Sequence, residues 1–278
     1  MATPPLDEQD DATDPLKLLF PGDDEEQEAD ASPLLSTQPQ PVAEGHQVDH
    51  HFLRSVNSTV AIRQLRSQGL SFQLWPAATT FVSVLDDSAA GPLSATIAAA
   101  GDLGRLRILE LGSGTGLVGI AAAVALGADV TVTDLPHVLP NLHFNAEANA
   151  SILAATGGTV RVATLRWGEA EDVELIGNEF DLVLGSDVVY YDYLYDPLLK
   201  TLKLLFEGVA EERRRKKMVF VMAHMRRWKK ESAFFKKARK IFDVEVVHSD
   251  KPCPGQRMGV AVYRFEWRHK GINGSTAN

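Results

Sequence analysis

Short apolar runs and longer stretches of helical period alternate along the second half of the chain. "RILELG" (residues 107–112) is mostly apolar and closes on glycine, which reads as a buried strand. "GLVGIAAAVALG" follows with the length and small apolar residues of a buried helix, and "ADVTVTD" (128–134) is a β-branched second strand. "HVLPNLHFNAEANA" (137–150) predicts a helix with Pro140 near its first turn. Further strands are expected at 159–167 ("TVRVATLRW"), 179–187 ("EFDLVLGSD") and 218–225 ("MVFVMAHM"), with a helix at "YLYDPLLKTLKLLFEG". "RRWKKESAFFKKARKIF" predicts a basic amphipathic helix with an apolar face of Trp228, Phe234, Phe235, Ala238, Ile241 and Phe242. The last strands, "VEVVHS" and "GVAVYRFEW" (259–267), are joined by "DKPCPGQRM" without a helix, so they should pair antiparallel. Strands alternating with helices imply an α/β fold, a largely parallel sheet with helices on both faces.

Upstream the patterning is thinner. "STVAIRQL" (58–65) and "LSFQLW" (70–75) have strand character around "RSQG", predicting an N-terminal β-hairpin that leads into Trp75-Pro76. Helices are expected at "AATTFVSVLDD" and "LSATIAAAGDL". Residues 1–45 combine acid and proline with few apolar residues, too little core to offset the entropy of ordering them. The expected organisation is a disordered acidic tail (1–45), a hairpin with helices packed on the core (46–104), the core itself (105–268) and a flexible C-terminal tail (269–278). Within the acidic tail, "PLKLLF" (15–20) reads as a chance apolar patch, with a docking peptide as the alternative.

Composition narrows the classes. Over 278 residues, 45% hydrophobic and 23% charged content is that of a soluble globular protein. A net charge of −9 argues against a general nucleic-acid binder. The single cysteine, Cys253, excludes an internal disulfide framework and a cysteine-based zinc site, and suits a reducing compartment. The eight histidines form no evident metal cluster, so no metal is expected. No apolar run is long enough to span a bilayer, and "MATPPLDEQDDATDPLK" resembles neither a secretory signal nor a basic transit peptide. The expectation is a cytoplasmic monomer, with the nucleus as the alternative location. "RRRKK" (213–217) reads as a solvated loop; a nuclear signal or an acidic-partner contact is the other reading.

The chemistry lies in "ILELGSGTGLVGIAAA" (108–123). Gly114, Gly116 and Gly119 satisfy the dinucleotide pattern G-x-G-x-x-G, in which backbone approaches a ligand where no Cβ intervenes and a helix N-terminus favours anions. Glu110, two residues before Gly112, would repel a pyrophosphate but attract a cationic ligand such as the ammonium and sulfonium of S-adenosylmethionine. Unit charges ~4 Å apart interact by roughly 4 kcal/mol at an effective dielectric near 20. Asp134 ends the second strand twenty positions after Gly114, where a carboxylate accepts hydrogen bonds from ribose hydroxyls in either class of nucleotide ligand. No tyrosine has a lysine four residues later, which removes one familiar hydride-transfer arrangement.

With these residues the chain resembles class I, seven-strand methyltransferases, and more narrowly the family-16 protein lysine methyltransferases of the methyltransferase-like 21 group. The resemblance spans roughly residues 58–267 and is carried by "LWPAA", "ILELGSGTGLVGI", "VTVTDLP", "NLHFNAEAN", "LRWG" and "FDLVLGSDVVYY". It implies a Rossmann-like seven-strand sheet with its last strand antiparallel. It also implies an S-adenosylmethionine pocket in which Trp75 flanks the methionyl end and Glu110, Gly112, Ser113 and Gly114 line the loop. Asp134 would hold the ribose, Leu135 and Trp167 would border the adenine, and Ser186 would contact the cofactor after the fourth strand. The implied partner is a protein substrate presenting a lysine, of the chaperone or translation-factor class.

Asp187 and Tyr190, in D-x-x-Y order after the fourth strand, are the candidate catalytic pair. They would accept hydrogen bonds from an incoming amine and orient it, a role better suited to Asp187 than general-base action because a carboxylate also favours the ammonium form. "SDVVY" differs from the N-P-P-Y-like sequence of adenine amino-methyltransferases, which argues against base methylation. The leading expectation is an S-adenosylmethionine-dependent protein-lysine N-methyltransferase. A methyltransferase on another substrate, a nucleotide-dependent oxidoreductase and a binding module without turnover are the alternatives.

Overall fold

A computed structural model describes residues 47–101, 104–208, 218–252 and 259–268. The acidic tail with its "PLKLLF" patch, "RRRKK", Cys253 and the C-terminal tail lie outside the described residues.

Seven strands form one sheet: β3 (Arg107–Leu111), β4 (Asp129–Asp134), β5 (Thr159–Thr164), β6 (Leu182–Ser186), β7 (Val219–Met225), β8 (Phe242–Ser249) and β9 (Val260–Trp267). Their order is β5-β4-β3-β6-β7-β9-β8. β3 pairs in parallel with both β4 and β6, β4 with β5 and β6 with β7. β9 runs antiparallel between β7 and β8, as its helix-free connection requires. The chain leaves β3 towards β4 on one side and returns to β6 on the other. That reversal opens a crevice at the carboxyl ends of β3 and β6.

Strand side chains alternate between the two faces. Ile108, Val130, Leu182 and Val221 pack with α1 (Pro76–Asp86), α3 (Leu117–Leu126) and the N-terminal hairpin. Leu109, Val183, Phe220 and Phe265 pack on the opposite face with α7 (Tyr195–Glu207) and α8 (Ser232–Ala238). α2 (Ser94–Gly101) precedes β3; α4 (Leu139–Ala148) and α5 (Ala150–Thr156) connect β4 to β5, and α6 (Ala170–Ile176) connects β5 to β6. Among the described residues no helix is long and apolar enough to cross a membrane.

The N-terminal hairpin exists, but its partner strand differs from the expectation. β2 (Ser58–Gln64) pairs antiparallel with β1 (Gln47–Leu53), upstream of it, and not with residues 70–75. β1 is mostly polar and half exposed, so "QVDHHFL" carries little apolar signal. The hairpin turn is tied down by Asp86, whose carboxylate accepts the Arg54 and Ser55 N–H groups at 2.8 and 3.0 Å. Gly69, at φ 107°, turns the chain into a single 3-10 turn over Leu70–Phe72, and the Leu74 N–H donates to Gln64 Oε1 instead of a strand partner. The basic helix is likewise shorter than expected: only Ser232–Ala238 is α-helical, Lys229–Glu231 is a 3-10 turn and Phe242 already belongs to β8. The buried Glu231 carboxylate accepts the Arg227 N–H at 3.0 Å, which fixes a bend where a continuous helix would run.

One asparagine series fastens the hairpin to the sheet layer. Asn141, Asn145 and Asn149 stand four residues apart on α4 and its end, all buried. Asn149 exchanges two hydrogen bonds with the backbone of Ala61 (2.9 and 2.8 Å), and Asn145 does the same with Arg63 (2.9 and 3.1 Å). Four helical residues rise about 6 Å and two strand residues about 7 Å, so the amides meet alternate β2 residues as a neighbouring strand would. Asn145 also donates to Thr115 O in the glycine loop at 2.8 Å, so the hairpin and the loop share one anchor. Asn145→Ala strands the Arg63 N–H and the Thr115 carbonyl, leaves the Arg63 carbonyl only the Asn141 amide at 3.4 Å, and should cost about 2–4 kcal/mol in urea unfolding. Amide exchange at Ala61 and Arg63 should accelerate in the same variant; unchanged protection at both would show that the ladder does not hold the hairpin.

Candidate active site

The loop leaving β3 crosses the crevice and enters α3. Gly112 lies at φ 62°, and a Cβ there would stand 2.9 Å from the Trp167 ring, so only glycine lets the loop lie against the indole. Gly114, at φ 55°, meets the Ser71 carbonyl in the same way, at 3.0 Å. Ser113 donates its N–H to Thr133 O (2.9 Å) and accepts the Thr133 N–H on Oγ (3.0 Å), which locks the loop to the end of β4. Asp134 completes the lock: Oδ2 accepts the Gly114 N–H and Oδ1 the Leu135 N–H, each at 2.8 Å. Burial raises the Asp134 carboxyl above the ordinary range despite those two donors. Leu135, beside it, is 44% exposed.

Glu110 is placed differently from a wall residue of the cleft. Its side chain is turned inward, 1% exposed, and Oε2 accepts the Gly119 N–H at 3.0 Å in the first turn of α3. Burial pushes its carboxyl up to about 8 against the Gly119 and Ser113 hydrogen bonds, and the Asp134 charge adds to the rise. The direct charge attraction expected from the sequence is therefore small at neutral pH until a nearby cation draws the proton off.

Across the crevice, Ser186 ends β6 and its Oγ is buried with no hydrogen-bond partner in the described structure. Asp187 follows at φ 53°, a left-handed conformation that aspartate tolerates better than most side chains. Its carboxylate is already engaged. Arg227 grips it with two N–H groups, Nη2 to Oδ2 at 2.9 Å and Nη1 to Oδ1 at 3.2 Å. The Met225 N–H donates to Oδ1 at 2.9 Å, and His224 Nδ1 lies 3.4 Å from the same oxygen. Burial works against ionisation, but His224 and Arg227 outweigh it and hold the Asp187 carboxyl below the usual range. The Arg227 guanidinium also lies 5.4 Å from the centre of the Trp75 ring, whose indole N–H donates to Leu70 O at 3.1 Å. Tyr190 is half-buried with its ring 4.8 Å from Tyr191. Burial raises its hydroxyl pKa, and the Asp134 charge raises it further.

The structure thus brings Gly112, Ser113, Gly114, Asp134, Leu135 and Trp167 together on the loop side and joins Trp75 to Asp187 on the other. Sequence reasoning missed the connecting groups His224, Arg227 and Glu231. The signal was a single histidine inside the apolar run "MVFVMAHM" and a glutamate inside a lysine-rich segment, both of which turn out to be buried. A separate surface cavity of about 360 Å³ lies between Asp243 and Glu245 of β8, Arg264 of β9 and the flanking Arg239 and Arg268; Arg264 and Arg268 are paired with acids there.

A family model described as lysine methyltransferase matches residues 54–241. Protein N-lysine methyltransferase METTL21A of Danio rerio is 38% identical over 149 residues, 54% of this chain and 63% of that one. METTL21A of Mus musculus is 34% identical over 70% of this chain and 79% of that one. EEF1A lysine methyltransferase 3 of Mus musculus is 44% identical over 36% of this chain and 40% of that one. The chain thus spans less than two thirds of the length of two of these three relatives.

The buried Glu110 generates a test. An unfolded glutamate ionises near 4.5 and the folded one near 8, so between those values the unfolded chain sheds its proton first and stability falls as pH rises. Glu110→Gln keeps an acceptor for the Gly119 N–H and removes this loss. It should match wild-type stability near pH 4 and exceed it by roughly 2–4 kcal/mol at pH 8.5, read by urea unfolding. A stability difference independent of pH would contradict the assignment.

Proposed function

The chain belongs to the lysine methyltransferase family, and on that premise we propose that it transfers a methyl group from S-adenosylmethionine to a lysine side chain of a folded protein. The observation that carries the proposal is the reach of the match: residues 54–241 contain Trp75, the glycine loop, Asp134, Trp167 and the segment from Ser186 to Arg227.

The residues around the crevice fit the cofactor. Asp134 would hold the ribose hydroxyls, Leu135 and Trp167 would border the adenine, and the loop at Gly112, Ser113 and Gly114 would face the methionyl end with Trp75. Ser186 Oγ is a buried polar atom still in need of a partner. Glu110, buried with its carboxyl raised to about 8, braces the first turn of α3 behind the loop. When bound, S-adenosylmethionine supplies an electrophilic methyl group on a sulfonium.

The chain's own part is to select and aim the nucleophile. A lysine in water is neutral in roughly one molecule per thousand or fewer at pH 7, so the amine must lose its proton to solvent before it reacts. Asp187, held ionised by Arg227 and His224, is a poor proton acceptor and a good hydrogen-bond acceptor. It orients the amine from one side and Tyr190 from the other, which converts the encounter into an aimed, unimolecular step. For the acceptor we propose a chaperone or a translation factor; the name of one relative states that its acceptor is EEF1A.

Extract from cells lacking the protein, incubated with it and methyl-tritiated S-adenosylmethionine, should give a labelled protein band with a methylated lysine in mass spectrometry. Asp187→Asn and Tyr190→Phe should each label roughly tenfold or more slowly, with cofactor binding kept. Stabilisation by NAD but not by S-adenosylmethionine in thermal melting would overturn the reading, and near-normal labelling by both variants would remove the role given to the pair.

A further inference from the structure

Behind Asp187 lies a charge cluster that amine orientation alone does not need. His224 and Glu231 are 1% and 0% exposed. His224 Nε2 stands 3.1 Å from Glu231 Oε2, and Nδ1 faces Asp187 Oδ1 at 3.4 Å. A neutral imidazole donates from one nitrogen only, and His224 Nδ1 makes no hydrogen bond among the described residues, so two facing carboxylates favour the charged ring. Burial disfavours that charge, but Asp187 and Glu231 together outweigh it. Arg227 is tied to both acids: its guanidinium to Asp187 and its backbone N–H to Glu231 Oε2 at 3.0 Å. Asp187 and Glu231 thus face His224 and Arg227 in one buried cluster.

This matters at the acceptor site of the proposed reaction, on which the inference rests. A bare carboxylate beside the methyl position would hold a lysine as its unreactive ammonium. We propose that Arg227 is a positioning residue for methyl transfer: gripping Asp187 with two N–H groups and lying over Trp75, it cancels the carboxylate charge, so that the incoming lysine docks as the free amine. Asp187 Oδ2 accepts one hydrogen bond, from Arg227, and keeps lone-pair capacity for the amine. Arg227 has a side chain 20% exposed, against 5% for Asp187, so it forms the solvent side of the pair. The other titratable groups around Asp187 are His224 and Glu231 behind it and Tyr190 three residues on, which also senses Asp134. Tyr195 and Tyr263 stand on the Glu231 side.

The test is the pH profile of labelling of the extract band, with Arg227→Gln and Arg227→Lys beside wild type and each variant's melting and S-adenosylmethionine binding measured first. Arg227→Gln removes the guanidinium charge and leaves Asp187 facing His224 alone. The acid limb of its profile should move up by about one pH unit, which cuts labelling about tenfold at pH 7 and little at pH 10. Arg227→Lys keeps the charge but not the two-pronged grip, and should keep the wild-type acid limb at a lower overall rate. A purely structural role for Arg227 would lower the rate equally at every pH, or shift both variants alike; either result, or an unchanged Arg227→Gln profile, overturns the proposal while leaving methyl transfer intact. If wild type itself labels no protein at any pH, the methyltransferase reading fails and this inference with it.

Discussion

Parallel pairing of β3 with β4 on one side and β6 on the other is the constraint from which the site follows. The chain must leave the carboxyl ends of these strands in diverging directions, and the gap between them opens towards solvent above the buried sheet. The glycine loop, Asp134, Ser186 and Asp187 are what the strand ends deliver to that gap. Their sequence positions are far apart; the sheet register makes them neighbours.

Three carboxylates reach this region and the fold treats each differently. Glu110 is buried against the first turn of α3 and holds its proton up to about 8. Asp134 is buried but takes two backbone N–H groups, which pin the loop to β4. Asp187 is as buried as Asp134 and yet ionises readily, because a guanidinium and an imidazole face it. Identical chemistry thus yields a proton store, a brace and a fixed acceptor, and local partners decide which. The same logic places the asparagine series, where buried amides are affordable only because each meets backbone groups of β2 or of the glycine loop.

The strands and most helices of the core could be read from periodicity because each buries a continuous apolar stripe. "RILELG", "ADVTVTD" and "EFDLVLGSD" all became neighbouring strands. Where the reading went astray, tertiary contacts replaced the apolar signal. β1 is held by pairing and by Asp86 rather than by burial, and "LSFQLW" has strand-like residues whose hydrogen bonds go to a side chain and a short turn. The helix at 170–176 is only seven residues long, too short to show a period, and the helix after β7 is shorter than its apolar spacing suggests because the buried Glu231 bends the chain ahead of it.

By itself the sequence determined the α/β class, the glycine loop between a strand and a helix, the acids at both strand ends and the D-x-x-Y segment. These depend on local spacing, and local spacing is written in the order of residues. Tertiary structure alone decided that Glu110 turns inward, that Arg227 closes on Asp187 from forty residues away and lies over Trp75, and that His224 sits between two acids. Charge state follows from burial and from partners brought together by folding, and neither quantity can be read from a residue's place in the chain.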